Sequence, residues 1–378
     1  MATKNNALII VAVVVVFVAG LLGGYYIGLN HPSSKPAQSY ASGKIGIGEM
    51  TAKVIAKSNE LITGNINASG YTVGVYIGPG VTNVTVTDAN ISNANSEGIL
   101  VLETSDISIT SNYLTNNGLN PNGDGAIIGT IGLYGTSNST VAFNKIVKNN
   151  VSGIVVASES PVVPDGISSK VKPMNSTGVI LNGNIVEEDA GGCGIVVVAW
   201  GPLMTITDAL VMDNYVTGST FGQHGPTGPY VGTIVVAADF PFSQADNNTI
   251  MGNTVIGGLE DGIIINNQAS GAKDLHNSII NNYVSNAAFQ RLNLPPFDNA
   301  TDMNLANETN GIAVYSNWIP QNNNPPPEVN FTVIIGNEIV DEQIGIWLAN
   351  AGMYSVFNNS FVSVQTNMIS HNGESTTT

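Results

Sequence analysis

The chain has 378 residues, with 11 Lys and Arg against 27 Asp and Glu and a net charge of −16. Its single arginine is Arg291, and a chain this acidic makes a poor nucleic-acid binder, because counterion release needs clustered Lys and Arg. A single cysteine excludes both an intramolecular disulfide framework and a Cys-based zinc site.

Ala7 to Leu29 is an uncharged apolar run, ALIIVAVVVVFVAGLLGGYYIGL. About 20 such residues span a bilayer as a helix. Lys4 precedes the run, and Tyr25 and Tyr26 lie near its far end. It is therefore expected to be an uncleaved signal anchor in the cell membrane, with everything after residue 30 outside the cell. The alternative is a cleaved signal peptide, with Ser39-Tyr40-Ala41 as a small-residue site, but the run is longer than an ordinary signal h-region. Gly20, Gly24 and Gly28 form overlapping G-x-x-x-G patterns, a face through which two copies would approach. Residues 30–48 read as a Pro/Ser-rich spacer, 49–367 as the folded ectodomain and 368–378 as a polar tail.

The ectodomain is one irregular repeat. Half of the unit is an apolar residue, two residues, Asn, one residue and a second apolar residue. The Asn positions are Asn112, Asn144, Asn184, Asn214, Asn253, Asn282, Asn337 and Asn359, and Val86-x-x-Ala89-x-Ile91 is a degenerate first copy. The other half is Gly followed by an apolar strand, beginning at Gly74, Gly98, Gly132, Gly153, Gly194, Gly232, Gly262, Gly311 and Gly345. A period in the low twenties with Gly and Asn corners indicates a solenoid. The expected fold is all-β, a right-handed parallel β-helix of about nine coils with loop insertions, behind one N-terminal transmembrane helix. Asn recurring at one corner would stack its amides into a ladder and tolerate the left-handed backbone of a sharp turn, and Gly would supply the other corner.

This rhythm resembles the parallel β-helix repeat of pectate-lyase-like proteins, especially the NosD-type and the carbohydrate-binding and sugar-hydrolase β-helix group. The resemblance covers roughly residues 60–365 and implies the fold; function varies widely on this scaffold. Hydrolases of the group imply clustered Asp with His and an Arg/Lys pair. Here there is no Asp-Asp, no Gly-His-Gly and no Arg-x-Lys, and Gln223-His224-Gly225 is the nearest match. Lyases of the group imply an Arg or Lys base and Ca²⁺, and Arg291 lies off the coil strands in an insertion.

Acidic residues gather before Gly corners: Glu187, Glu188 and Asp189; Glu260 and Asp261; Asp341 and Glu342. These clusters are not on adjacent coils, so they read as solvated turns. No cofactor is expected, and Ca²⁺ is the one ion that such oxygen clusters would take. His31, His224, His276 and His371 are scattered, so no soft-ligand copper site is visible. Cys193 reads as a small buried filler.

N-x-[ST] matches fall at Asn67, Asn83, Asn90, Asn138, Asn150, Asn175, Asn247, Asn299, Asn307, Asn330 and Asn358, candidates for N-glycosylation if the ectodomain is external. Among 48 asparagines, chance alone supplies many of these. The residue after each ladder Asn should face outward. That column includes Tyr113, Tyr215 and Tyr283, candidates for stacking on sugar rings. On the Gly-led strands, the outward column is expected to read Tyr76, Leu100, Tyr134, Val155, Val196, Ile234, Ile264, Ala313 and Trp347, with no charge in it and with Val155, Val196, Ile234 and Ile264 as the candidate interface. An apolar face of this kind must be covered, by the chain's own inserts or by a second copy. Loop insertions at 116–130, 158–176, 217–231, 286–310 and 317–329 are where partners would bind. The functional expectation is a membrane-anchored extracellular protein without enzymatic activity, serving in surface binding, adhesion or envelope structure. Its partners would be glycans, a second copy or another surface protein, and no nucleic acid. The alternative is a polysaccharide lyase or glycoside hydrolase with an atypical site.

Overall fold

The structure is a computed structural model. It describes residues 39–121, 128–158, 175–187, 192–217, 232–257, 261–267, 269–285, 309–316, 327–371 and 374–375. The transmembrane helix expected over residues 7–29 lies outside these residues, as do His31, His224, Arg291, Asn299 and Asn307. Among the described residues, no helix is long and apolar enough to cross a membrane.

Among the described residues all regular structure is β, arranged in three sheets. The first sheet stacks eleven parallel strands, from Thr51–Ile55 through Val73–Ile77 and Ile195–Ala199 to Thr366–His371. Eleven rather than about nine strands stack because the terminal coils lack the Gly-led motif and still pair in register. A twelfth strand, Gly43–Lys44, pairs antiparallel with Thr51 and Ala52. The spacer therefore ends before residue 48, and the Tyr40 hydroxyl already donates to the Thr63 carbonyl at 3.1 Å. The tail likewise begins later than residue 368, because that residue lies inside a strand paired with Ile344–Ala349.

The second sheet takes two short strands from most coils, such as Thr140–Ala142 and Lys145–Val147. A third, five-stranded sheet runs from Ser176–Thr177 through Thr205–Thr207, Gln244–Asp246 and Lys273–Leu275 to Glu328–Asn330. Inward residues of all three sheets form one continuous core, for example Ile195, Val197, Ile206, Val211 and Val216 within one coil.

The eight ladder asparagines stack between the paired short strands of the second sheet. Asn144 shows the pattern. Its Nδ2 donates to Asn184 Oδ1 at 2.9 Å and to the Ile109 carbonyl of the preceding coil at 2.9 Å. Its backbone N–H donates to the same Asn184 oxygen at 3.1 Å. The side chain-to-side chain bonds continue from Asn112 to Asn359 at 2.9–3.0 Å. Each amide thus ties three coils, in an interior where an unpaired amide is costly. Two shorter ladders, Asn117 to Asn149 and Asn248 to Asn277, lie outside the repeat read from the sequence.

Corner chemistry differs from the expectation. The left-handed residue is the one before each ladder Asn: Ser111, Phe143, Gly183, Asp213, Gly252, Asn281, Gly336 and Asn358. The ladder Asn contributes its amide and not an unusual backbone. The Gly-led corners are not left-handed either; they are sites of close approach. A β-carbon at Gly262 would overlap Val284 and stand 2.7 Å from the Gly311 carbonyl oxygen. In two of the nine coils expected to be Gly-led that position is not Gly: Thr130 occupies it, two residues before the expected Gly132, and Thr233, one residue after the expected Gly232.

Candidate functional site

Two outer faces carry the sequence-derived candidates, and they differ in access. On the second sheet, parallel pairing sets Tyr113, Lys145, Ile185, Tyr215, Thr254, Tyr283, Glu338 and Ser360 in one column. Tyr113 is 40% and Tyr215 37% exposed, and Tyr283 is half-buried. Strands stack about 4.8 Å apart, which puts Tyr113 and Tyr215 roughly 14 Å apart and Tyr215 and Tyr283 roughly 10 Å. The adjacent column reads Thr85, Ser108, Thr140, Ile180, Leu210, Thr249 and Ser278, mostly hydroxyl-bearing. The charge pair on this face between Lys145 Nζ and Glu187 Oε2 is loose, at 3.6 Å. The face therefore offers phenol rings and hydroxyl donors on a pleated surface, with little charge.

On the first sheet the outward column reads Tyr76, Leu100, Gly132, Val155, Val196, Val235, Ile264, Ala313 and Trp347. Tyr134 and Ile234 do not belong to it: Gly132 takes the place expected for Tyr134, which pairs instead with Leu102 and Ala157. With Thr233 at the Gly position, Ile234 pairs with Ile195 and Ile263 and packs in the interior core, and Val235 takes the outward place. Val155, Val196 and Ile264 are outward but buried within the single chain, in a second apolar cluster with Cys193 and Trp347. They present no free surface to a partner.

Acidic groups lie along the edge of this buried face. Asp261 and Glu342, expected as solvated turns, are 4% and 2% exposed. Asn310 stands beside Asp261 in register and donates to its Oδ1 at 2.7 Å. Burial chiefly pushes the Asp261 carboxyl up to about 8, Asn310 opposes this, and the nearby Glu342 carboxyl adds to it. Glu97 is also fully buried, at the same edge two residues before Ile99. Burial raises its carboxyl to about 7, against the Ser96 hydroxyl and its own backbone N–H. Tyr134, beside it, is held far from ionisation by burial first and by Glu97 second. The signal for Asp261 was available in register: the same column holds Val73, Cys193 and Ile344 in other coils, all buried. Asp341 remains an exposed left-handed turn residue.

Other candidates disperse. His276 pairs with Asp246 at 2.9 Å and stacks on Phe331, on an exposed corner with no nucleophile bonded to it. Among the described residues, no three Asp, Glu, His or Cys side chains gather around a common point. Of the sequon asparagines, Asn67, Asn83, Asn138, Asn175, Asn247 and Asn358 are exposed, and Asn90, Asn150 and Asn330 half-buried. Asn83, Asn138, Asn247 and Asn358 are left-handed corner residues, so turn chemistry alone also accounts for Asn there.

Residues 52–233, just under half of the chain, match the family described as "Right handed beta helix region". No curated protein matches the sequence. Similar solved structures include the A-module of a mannuronan C-5 epimerase from Azotobacter vinelandii. It is 12% identical, with TM-score 0.49, over 88% of this chain and 86% of that one. An alginate lyase from a Paenibacillus strain is 12% identical, with TM-score 0.42, over 85% and 87%. A surface adhesin of Streptococcus pneumoniae is 10% identical, with TM-score 0.38, over 85% and 82%. At these scores and identities the likenesses carry no argument about activity.

Proposed function

Because this chain builds a right-handed parallel β-helix, we propose that it is a non-enzymatic binding module of the cell surface, with the flat face of its second sheet as the glycan-binding surface. The apolar run Ala7–Leu29 would hold it in the membrane, with the solenoid outside. The observation that carries the reading is the register-aligned column with exposed Tyr113 and Tyr215 and half-buried Tyr283, flanked by hydroxyls. Aromatic rings with a polar edge and low charge suit neutral or weakly charged sugars. A glycan array probed with the detergent-solubilised full chain tests it. Binding should fall together in Tyr113→Ala, Tyr215→Ala and Tyr283→Ala, with thermal stability unchanged. Equal binding by all three variants would sink the reading.

A second reading, a polysaccharide lyase or hydrolase, draws on Asp261 beside Glu342. A carboxyl raised to about 8 holds a proton at neutral pH, as a general acid must. Turnover of a polysaccharide that disappears in Asp261→Asn would favour it over the binding module.

A further inference from the structure

The interior of the solenoid carries a cluster of oxygen atoms that neither face uses. The last inward column of the first sheet runs Ala199, Ala238, Asn267 and Ser316. The inward column of the third sheet runs Ile206, Ala245, Asp274 and Val329. Asn267 and Asp274 interrupt these columns on the same coil, and both are 0% exposed. Asp239 follows Ala238, the pairing partner of Asn267 one coil earlier, and its carboxyl acts electrostatically on Asp274. No hydrogen bond of normal geometry satisfies either carboxyl oxygen of Asp239, either of Asp274, or Oδ1 of Asn267, and all of these atoms are buried; the Asn267 side chain and the Ala238 N–H still act on the Asp274 carboxyl and favour its charged form. Asn267 Nδ2 donates to the Glu328 carbonyl of the following coil at 2.8 Å. Since an amide oxygen cannot donate, that bond fixes which way the amide lies. Among the described residues, no Lys, Arg or His pairs with either carboxyl.

Two buried carboxyls and an amide oxygen without well-formed hydrogen bonds are costly unless something neutralises them. We propose that this cluster binds one calcium ion inside the solenoid, ligated by Asp239, Asp274 and Asn267 Oδ1. The donor set is all oxygen, which selects a hard cation over a soft one. Calcium accepts irregular oxygen geometry, whereas magnesium demands a near-ideal octahedron and retains its waters. The ion would join the coil carrying Asp239 to the next, and through Asn267 and Glu328 to the one beyond.

The test uses the full chain in detergent, stripped with chelator and then given calcium chloride alone. Wild type should take up one calcium per chain by elemental analysis, and its Tm should rise relative to chelator. Asp239→Asn and Asp274→Asn, close in shape, should each weaken uptake by about tenfold or more, since ligand charge sets affinity. Terbium gives a readout that leaves the ligands intact. Phe240 follows Asp239 and meets the Trp200 ring at 4.8 Å, so bound terbium should luminesce on indole excitation and lose that signal in Trp200→Phe. The proposal is overturned if wild type takes up no calcium and melts alike in calcium and chelator. It is equally overturned if either Asp variant binds as wild type does, or if Trp200→Phe leaves the terbium signal unchanged.

Discussion

The first and second sheets share one interior and have opposite outer faces. On the first, Val155, Val196, Val235 and Ile264 are 0–3% exposed; on the second, Tyr113 and Tyr215 are 40% and 37% exposed. Both faces are outward columns of parallel strands with the same period-two alternation. Alternation therefore tells which residues leave the interior, and only the environment tells whether they reach water. The buried face also carries Glu97 and Asp261, whose carboxyls burial pushes up to about 7 and about 8.

The sharpest way to break this contrast is a charge on each face. Val235→Glu should cost on the order of 3–5 kcal/mol, because it buries an unpaired carboxylate, and should lower Tm steeply or prevent folding. The equivalent Thr254→Glu on the second sheet should stay within about 0.5 kcal/mol of wild type in denaturant melts. Equal effects would mean that the two outer faces are alike.

The shared interior gives the next effects. Asn214→Leu removes the acceptor of two bonds from Asn184 and the donor to Asn253 and Leu181. At about 1–3 kcal/mol for each buried group left unpaired, the chain should lose several degrees of Tm, whereas Asn358→Gly, at an exposed left-handed corner that Gly adopts freely, should lose far less. An unchanged Tm for Asn214→Leu would mean the ladder is not stabilising.

The pH response of the buried face is of similar or smaller size. Glu97 and Asp261 have folded pKa values raised above their ordinary 4.5 and 3.8, to about 7 and about 8. Between these limits the folded state binds more protons than the unfolded state, so stability falls as pH rises. It should be fully present below about pH 4 and largely lost by pH 8 to 9, on the order of 3 kcal/mol for Glu97 alone. Calorimetry at pH 5, 7 and 9 measures this, and Glu97→Gln should flatten the profile. A Tm that rises toward pH 9 would contradict the burial of these carboxyls.

The smallest expected effect separates close approach from backbone conformation. Gly262→Ala should cost about 1–3 kcal/mol through overpacking against Val284 and the Gly311 carbonyl. Gly46→Ala, at φ +78° with open space around it, should cost only the strain of its backbone.

The sequence by itself determined the coil repeat, the eight ladder asparagines and most inward columns, because each follows from local rules: alternation along a strand and an apolar–Asn–apolar spacing. It also placed Tyr113, Tyr215 and Tyr283 in one column, since counting from the ladder Asn needs no knowledge of neighbouring coils. What only the tertiary structure decided depends on how coils separated by 20 to 60 residues stack. Thr130 and Thr233 stand where other coils have Gly, which moved Ile234 inward. The left-handed turn fell on the residue before each ladder Asn, because the amide had to point into the stack. Gly262 and Gly311 answer to neighbouring backbones rather than to their own dihedral angles. Asp239, Asp261, Asp274 and Glu342 look like ordinary turn acids in one dimension. They become buried carboxyls because burial is a property of the stacked coils around a residue, and no local pattern encodes it.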